Sequence, residues 1–208
     1  MSCCTKCGVT KYRAFTLILL GVAIAIQSVS VALPVWSEIN TNYFTYTIRA
    51  YQNLWTVNIL EDGQAGAFPK EKSKMNVGWK KDLQNVEVTC IVAGLLGLFL
   101  LLLSSITRKM ALLAGICRLF GICFSLLAAI EVLVGSLLYE YQHREIFSIN
   151  AKDPKNYYPT DKLELSSGFF ISTTAGALYA LVVTVEIVVL AANNVKSEKE
   201  KNMVTSFS

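Results

Sequence analysis

The sequence predicts an integral membrane protein: an α-helical bundle of four transmembrane segments carrying a small extracellular antiparallel β-sheet. Three observations predict it. Hydrophobic residues make up 53% of the chain and charged residues 16%, too apolar for an ordinary water-soluble domain. The apolar residues are bunched into four runs, 14–35, 86–106, 110–139 and 168–192, each long enough for the roughly 20 residues that cross a hydrocarbon core. Between the first two runs lies a polar segment rich in strand formers and punctuated by glycine and proline, the composition of a small sheet. The whole chain, 1–208, reads as one four-span domain.

The first run is too long for a signal peptide, and Leu33-Pro34-Val35-Trp36 follows it where a small-residue cleavage site would stand. The loop 36–85 comes next. Tyr43, Phe44, Thr45, Tyr46, Thr47 and Ile48 open its strand-forming part, and the stretch from Ala50 to Leu60 reads as a further strand. Gly63, Gly66 and Pro69 break the pattern before a short apolar patch at 75–79. An exposed aromatic strand would aggregate, so these strands are expected to pair over the ends of the helices. Trp55, with Leu54, is expected to anchor that sheet by burying its indole at the membrane–water boundary. Trp36 stands between a similar role and that of an ordinary belt residue.

Only Thr107, Arg108 and Lys109 separate the second and third runs, which forces a tight helical hairpin. The third run is longer than a crossing needs, and the loop 140–166 leads to the fourth. Lys6, Lys11 and Arg13 precede the first span, Arg108 and Lys109 sit in the hairpin, and Lys196, Lys199 and Lys201 follow the last. The positive-inside rule therefore places both termini in the cytosol and both long loops outside. The first long loop has its own cluster, Lys70, Lys72, Lys74, Lys80 and Lys81, but long loops translocate with little regard to charge.

Four polar residues fall within the spans: Gln27, Arg118, Glu131 and Glu186. Such residues are expensive in hydrocarbon and are held by partners. At about 1.5 Å per residue, Arg118 and Glu186 lie at equal depth, roughly 12 Å from the cytosolic side. Gln27 and Glu131 match similarly below the outer side. Two contacts are therefore expected, Arg118 with Glu186 and Gln27 with Glu131. Conduction along Glu131 and Glu186 is a weaker reading, because no single helix shows a polar stripe. Gly94, Gly97, Gly115, Gly121, Gly135, Gly168 and Gly176 are expected to let helices approach closely.

Cys3, Cys4 and Cys7 precede the first span, and Cys90, Cys117 and Cys123 lie within spans. None lies in a long loop, which excludes a disulfide-stapled ectodomain. The N-terminal three lie in a basic juxtamembrane segment, where reversible acylation is the commoner fate. A closed zinc site needs four ligands, and the single histidine, His143, lies across the membrane, so neither metal nor other cofactor is expected. The net charge of +4 is spread over every loop and tail, unlike the concentrated basic face of a nucleic-acid binder. No paired loop carboxylates with a nucleophile, phosphate loop or histidine cluster points to catalysis.

Trp36 after the first span, followed by Asn53-Leu54-Trp55, resembles the W…GLW pattern of the claudin superfamily, which includes peripheral myelin and epithelial membrane proteins and channel-subunit relatives. Asp82-Leu-Gln-Asn-Val86 at the start of the second span, the long third span and Ser166-Ser-Gly-Phe-Phe170 opening the fourth look similar too. The resemblance covers the layout of nearly the whole chain. Claudins carry two paired cysteines after the triplet, the first three residues beyond its tryptophan. Here that position is Asn58, no second loop cysteine exists, and the triplet's glycine is Asn53. A disulfide there would contribute roughly 2–4 kcal/mol, so packing alone must hold this sheet. The resemblance implies a contact protein at the plasma membrane, supporting cell–cell adhesion or an epithelial barrier through membrane lipids and membrane proteins in cis and in trans. It equally accommodates an auxiliary subunit of a channel or receptor. Many claudins end in a hydrophobic residue that a PDZ groove captures, whereas this chain ends Thr205-Ser-Phe-Ser208, which argues against that docking route.

Overall fold

A computed structural model of the chain describes residues 4–42, 47–52, 54–55, 57–62, 78–107, 110–152 and 162–205. Four long helices form the body: α1 (Cys4–Ala32), α2 (Gly78–Ile106), α3 (Ala111–Lys152) and α4 (Ser167–Thr205). Four short strands complete it: β1 (Ser37–Asn42), β2 (Thr47–Gln52), β3 (Val57–Asp62) and β4 (Lys162–Leu165). Each helix holds a stretch long and apolar enough to cross a membrane: Lys11–Ala32, Lys81–Ile106, Ala111–Tyr141 and Ser167–Asn193. The outward surface of these stretches is apolar, with Phe15, Ile18, Phe99, Leu119 and Leu137 all exposed. In water that surface would be a liability; in lipid it is solvated by acyl chains.

The helices stand in chain order around the bundle, with α4 returning to α1, and α2 and α3 share the most extensive contact. Small and medium side chains fill the centre: Ala23, Cys90, Ala128, Ala129, Ala175 and Val182 are all buried. Small residues permit the close approach on which helix association in lipid depends. A Cβ on Gly97 would fall 2.7 Å from Ser125 Oγ, so α2 and α3 touch there almost backbone to backbone. Gly115, expected to act in the same way, faces open space.

One end of the bundle carries the sheet, in the order β3-β2-β1-β4 and antiparallel throughout. β2 and β3 pair with Gln52 opposite Val57, and Leu54 and Trp55 lie between them in sequence. The expected continuous strand from Ala50 to Leu60 is therefore two strands, folded back about the Leu54-Trp55 pair. β4 comes from the segment between α3 and α4 and pairs with β1, Ser37 opposite Leu165. It joins the two loops into one sheet. Its four residues are too short to stand out in sequence.

Boundaries differ from the sequence expectation where local chemistry overrides hydropathy. α1 ends at Ala32 rather than continuing to Val35, because Leu33 precedes Pro34 and the helical region is disfavoured there. α2 begins at Gly78, well before the apolar run at Val86. α3 continues to Lys152, so the first part of the segment 140–166 is helical. Asn53, Cys3 and the segment 63–77 lie outside the described residues.

Candidate functional site

The sheet is fixed to the bundle at one aromatic cluster. Trp36, between α1 and β1, is fully buried with Leu54, Leu83, Tyr139 and Phe169 around it. Its indole donates to the Ser30 carbonyl at 2.9 Å, and its ring meets Tyr139 edge-on with centroids 5.2 Å apart. The Tyr139 hydroxyl lies 2.9 Å from Ser37 Oγ at the start of β1. The backbone closes the same knot. Gly168 donates to the Val35 carbonyl at 3.0 Å, Ser166 donates to the Trp36 carbonyl at 2.8 Å, and Ser30 Oγ donates to the Gly168 carbonyl at 2.7 Å. A Cβ on Gly168 would lie 2.8 Å from the Val35 oxygen and 2.7 Å from the Trp36 ring nitrogen. Only glycine fits without a shift.

The anchor is therefore Trp36, with Leu54, rather than Trp55. The Leu54 side chain is buried and its carbonyl accepts from Gln84 of α2. Trp55 is 49% exposed and its indole donates to the Val31 carbonyl at 3.0 Å. Adjacent residues at a bend point in different directions. Leu54 turns into the cluster and leaves Trp55 against the flank of α1, the place of an amphipathic belt ring.

Two polar contacts lie inside the bundle. In the half nearer the chain termini, Arg118 of α3 meets Glu186 of α4: Nη2 lies 2.8 Å from Oε2, and Nε donates to the same oxygen at 2.9 Å. Nη2 also reaches the Glu186 carbonyl at 3.3 Å. Thr16 of α1 donates its hydroxyl to Glu186 Oε1 at 3.0 Å, so both carboxylate oxygens are engaged. Arg13 stands nearby and donates to the Ser104 carbonyl at 3.3 Å, a cation at the C-terminal end of α2 where the helix dipole favours it. Beside them is a small cavity, ≈ 10 Å³ of space for the centre of a water molecule, lined by Arg13, Thr16, Ser104, Ser105, Arg118 and Glu186 among others. It has room for about one water and none for a substrate.

The second contact, in the half nearer the sheet, differs from the expected Gln27–Glu131 pair. Gln27 of α1 donates instead to Glu87 of α2, and all atoms of both residues are buried. Ser172 of α4, also fully buried, lies 3.4 Å from Gln27 Oε1 and 3.4 Å from Glu87 Oε1. Three helices meet there through hydrogen-bonding side chains. Depth alone had matched Gln27 with the wrong carboxyl, because α1 neighbours α2 and α4 while α3 lies diagonally across. Glu87 had looked like a boundary residue at the edge of the run starting at Val86; the earlier start of α2 places it inside. Glu131 is left on the rim of the bundle, partly exposed.

If this triad holds α1, α2 and α4 together, Glu87→Leu leaves the Gln27 amide and the Ser172 hydroxyl with only each other, at 3.4 Å, in the core. The expected loss is about 1 kcal/mol, read as a lower unfolding temperature in detergent. Glu87→Gln, which keeps shape and hydrogen-bonding capacity, should lose clearly less. Equal losses for the two variants would mean that the hydrogen bonds contribute nothing.

Among the described residues, no group of three or more His, Cys, Asp or Glu side chains is close enough to hold a metal ion. Buried Cys90 and Cys117 and exposed Cys123 are free thiols within helices, and Cys4 and Cys7 lie in the first turns of α1. The arrangement is one of anchoring and packing. Compared with known proteins, residues 15–185 match the PMP-22/EMP/MP20/Claudin family. No curated protein matches the chain.

Proposed function

This chain belongs to the PMP-22/EMP/MP20/Claudin family, and on that premise we propose that it acts by contact rather than catalysis, at the plasma membrane, supporting cell–cell adhesion or an epithelial paracellular barrier. The observation that supports this most is the sheet clamped to the bundle through Trp36, Leu54 and Gly168. A four-stranded sheet held at all four helix ends is a stiff surface, and stiffness lowers the entropy lost when a partner binds. With both termini cytosolic, that surface faces a neighbouring cell. Membrane lipids and membrane proteins in cis surround the spans, and partners in trans meet the sheet. Expression of the tagged protein in a polarised epithelium tests the reading. A ring at cell borders, with changed transepithelial resistance, is the expected result; uniform surface staining with unchanged resistance overturns it.

A second reading is favoured by Glu131, a carboxyl on the rim of the bundle rather than in its centre. It makes the protein an auxiliary subunit that binds a channel or receptor sideways in the membrane and tunes its traffic or gating. Copurification of one channel or receptor in stoichiometric amount supports this reading over adhesion.

Cys3, Cys4 and Cys7 add a prediction for the cytosolic end. Acyl-exchange labelling should detect thioester-linked lipid on this cluster, hydroxylamine should release it, and substitution of all three by serine should abolish the signal. An unlabelled wild-type protein would assign the cluster another purpose.

A further inference from the structure

Of the carboxyls deep within the spans, Glu87, Glu131 and Glu186, Glu131 is the one with an unsatisfied oxygen among the described residues. Its Oε2 is shielded and has no hydrogen-bond partner there, whereas Glu186 has Arg118 and Thr16 and Glu87 has Gln27 and Ser172. Thr89 of α2 is within hydrogen-bonding reach of the carboxyl, but its single proton is shared with the carbonyls of Asn85 and Val86 in its own helix, both at 2.9 Å. Its span, Ala111–Tyr141, has 31 residues, so at about 1.5 Å per residue Glu131 lies about 8 Å from the span's midpoint. That is inside a hydrocarbon core about 30 Å thick, in the half nearer the sheet. No water reaches that depth, so a carboxyl group there needs a donor from protein.

The surroundings show where such a donor would come from. Leu127, Val134 and Leu138 share the Glu131 side of α3 and are exposed, as are Val92 and Leu96, three and seven residues on from Thr89 along α2. Glu131 therefore interrupts an otherwise lipid-facing apolar seam. Within the candidate spans the cations are Lys11 and Arg13 near one end, Lys81 at the other, and Arg118, and Arg118 is paired with Glu186. A second copy of this chain would offer another carboxyl at this depth and no cation. Charge complementarity thus points to a different protein.

We infer that the α2–α3 seam around Glu131 and Thr89 is a lateral docking site for a transmembrane helix of another protein that presents a basic side chain at the depth of Glu131. The partner's apolar residues pack along Val92, Leu96, Val134 and Leu138, and its cation meets the Glu131 carboxyl. Burial between two proteins strengthens that contact and removes the cost of leaving it toward lipid. This inference rests on the auxiliary-subunit reading for its biological meaning, while the site itself can be tested without any native partner.

The test uses the full-length chain in lipid bilayers with a synthetic single-span polyleucine helix carrying one lysine at the depth of Glu131, about five residues from its middle, each labelled for energy transfer. The lysine helix should associate roughly tenfold more tightly than an all-leucine helix, the scale of a polar interhelical contact in lipid. Glu131→Gln should lower that preference to a small residue, and moving the lysine to the end of the synthetic helix should abolish it. Glu140→Gln, which neutralises a carboxylate at the end of the span, should leave the preference intact. Circular dichroism and unfolding temperature establish that each variant is folded. Equal binding of the lysine and all-leucine helices overturns the site, as does an undiminished preference in folded Glu131→Gln. If the synthetic helix binds as expected and no channel or receptor copurifies from cells, the auxiliary-subunit reading falls and the docking site stands.

Discussion

Trp36→Ala is expected to detach the sheet from the bundle and to abolish most surface delivery. Truncating a fully buried aromatic costs about 3–5 kcal/mol, and the edge-on contact with Tyr139 adds about 0.5–1.5 kcal/mol beyond area. The loss is concentrated at one point. Without the indole, the Ser30 carbonyl keeps only the Leu33 N–H donor, Tyr139 loses its edge-on ring neighbour and keeps Phe169, and Leu54 loses part of the surface it packs on. No loop cysteine exists to hold the sheet by a covalent bridge, so nothing compensates. Trp55→Ala, at a half-exposed ring whose indole donates to the Val31 carbonyl, should cost only about 1 kcal/mol. Gly168→Ala approaches the same knot from α4 and should resemble Trp36→Ala in direction, because its Cβ would collide with the Val35 carbonyl and the indole. Surface biotinylation, protease resistance of the sheet segments and unfolding temperature in detergent together read the effect. Should Trp55→Ala prove as damaging as Trp36→Ala, the cluster around Trp36 is not the anchor.

The second large effect is a charge swap in the other half of the bundle. Arg118→Glu and Glu186→Arg should each cost about 3–5 kcal/mol, the penalty for leaving one charge of a buried pair uncompensated. The double swap should recover a good part of the folded protein, since it restores opposite charges on the same two helices. Recovery will be incomplete. Thr16 donates to a carboxylate on α4 in the wild type, and in the double swap it would face a guanidinium. A double variant as poor as the two single losses added together would show that the residues do not act as a pair. Replacing both with apolar residues of similar volume is a separate question, because such replacements of buried ion pairs are often neutral or stabilising. If that variant folds but loses function, the pair serves the protein's working state rather than its stability.

How these residues meet was only partly written in the chain. The equal depths of Arg118 and Glu186 singled out two residues that the structure joins at 2.8 Å. The same count misdirected Gln27 toward Glu131. Depth is one coordinate, and the other is rotation about the helix axis. In water-soluble helices a hydrophobic stripe reports that rotation. Here the outward faces are as apolar as the centre, since lipid replaces water, so the sequence carries little record of which side of α2 or α3 faces inward. Glu87 went unnoticed for a related reason: hydropathy marks where apolar residues begin, whereas α2 begins at Gly78, before them.

The sequence by itself determined the class: four membrane-crossing helices and a β-rich segment after the first, because span length and strand-forming composition are local properties read against the thickness of a bilayer and the chemistry of turns. It also carried the family's Trp36…Leu54-Trp55 pattern, in a form lacking the cysteine pair. Tertiary structure alone decided which tryptophan is buried, since Trp36 and Trp55 are the same residue type and differ only in what surrounds them. It decided that β4, far along the chain, would close onto β1, because a four-residue strand gains its stability from its partner rather than from its own sequence. And it decided that Glu87 would be enclosed while Glu131 was left on the rim, a choice made by the rotation of helices whose apolar faces all look alike.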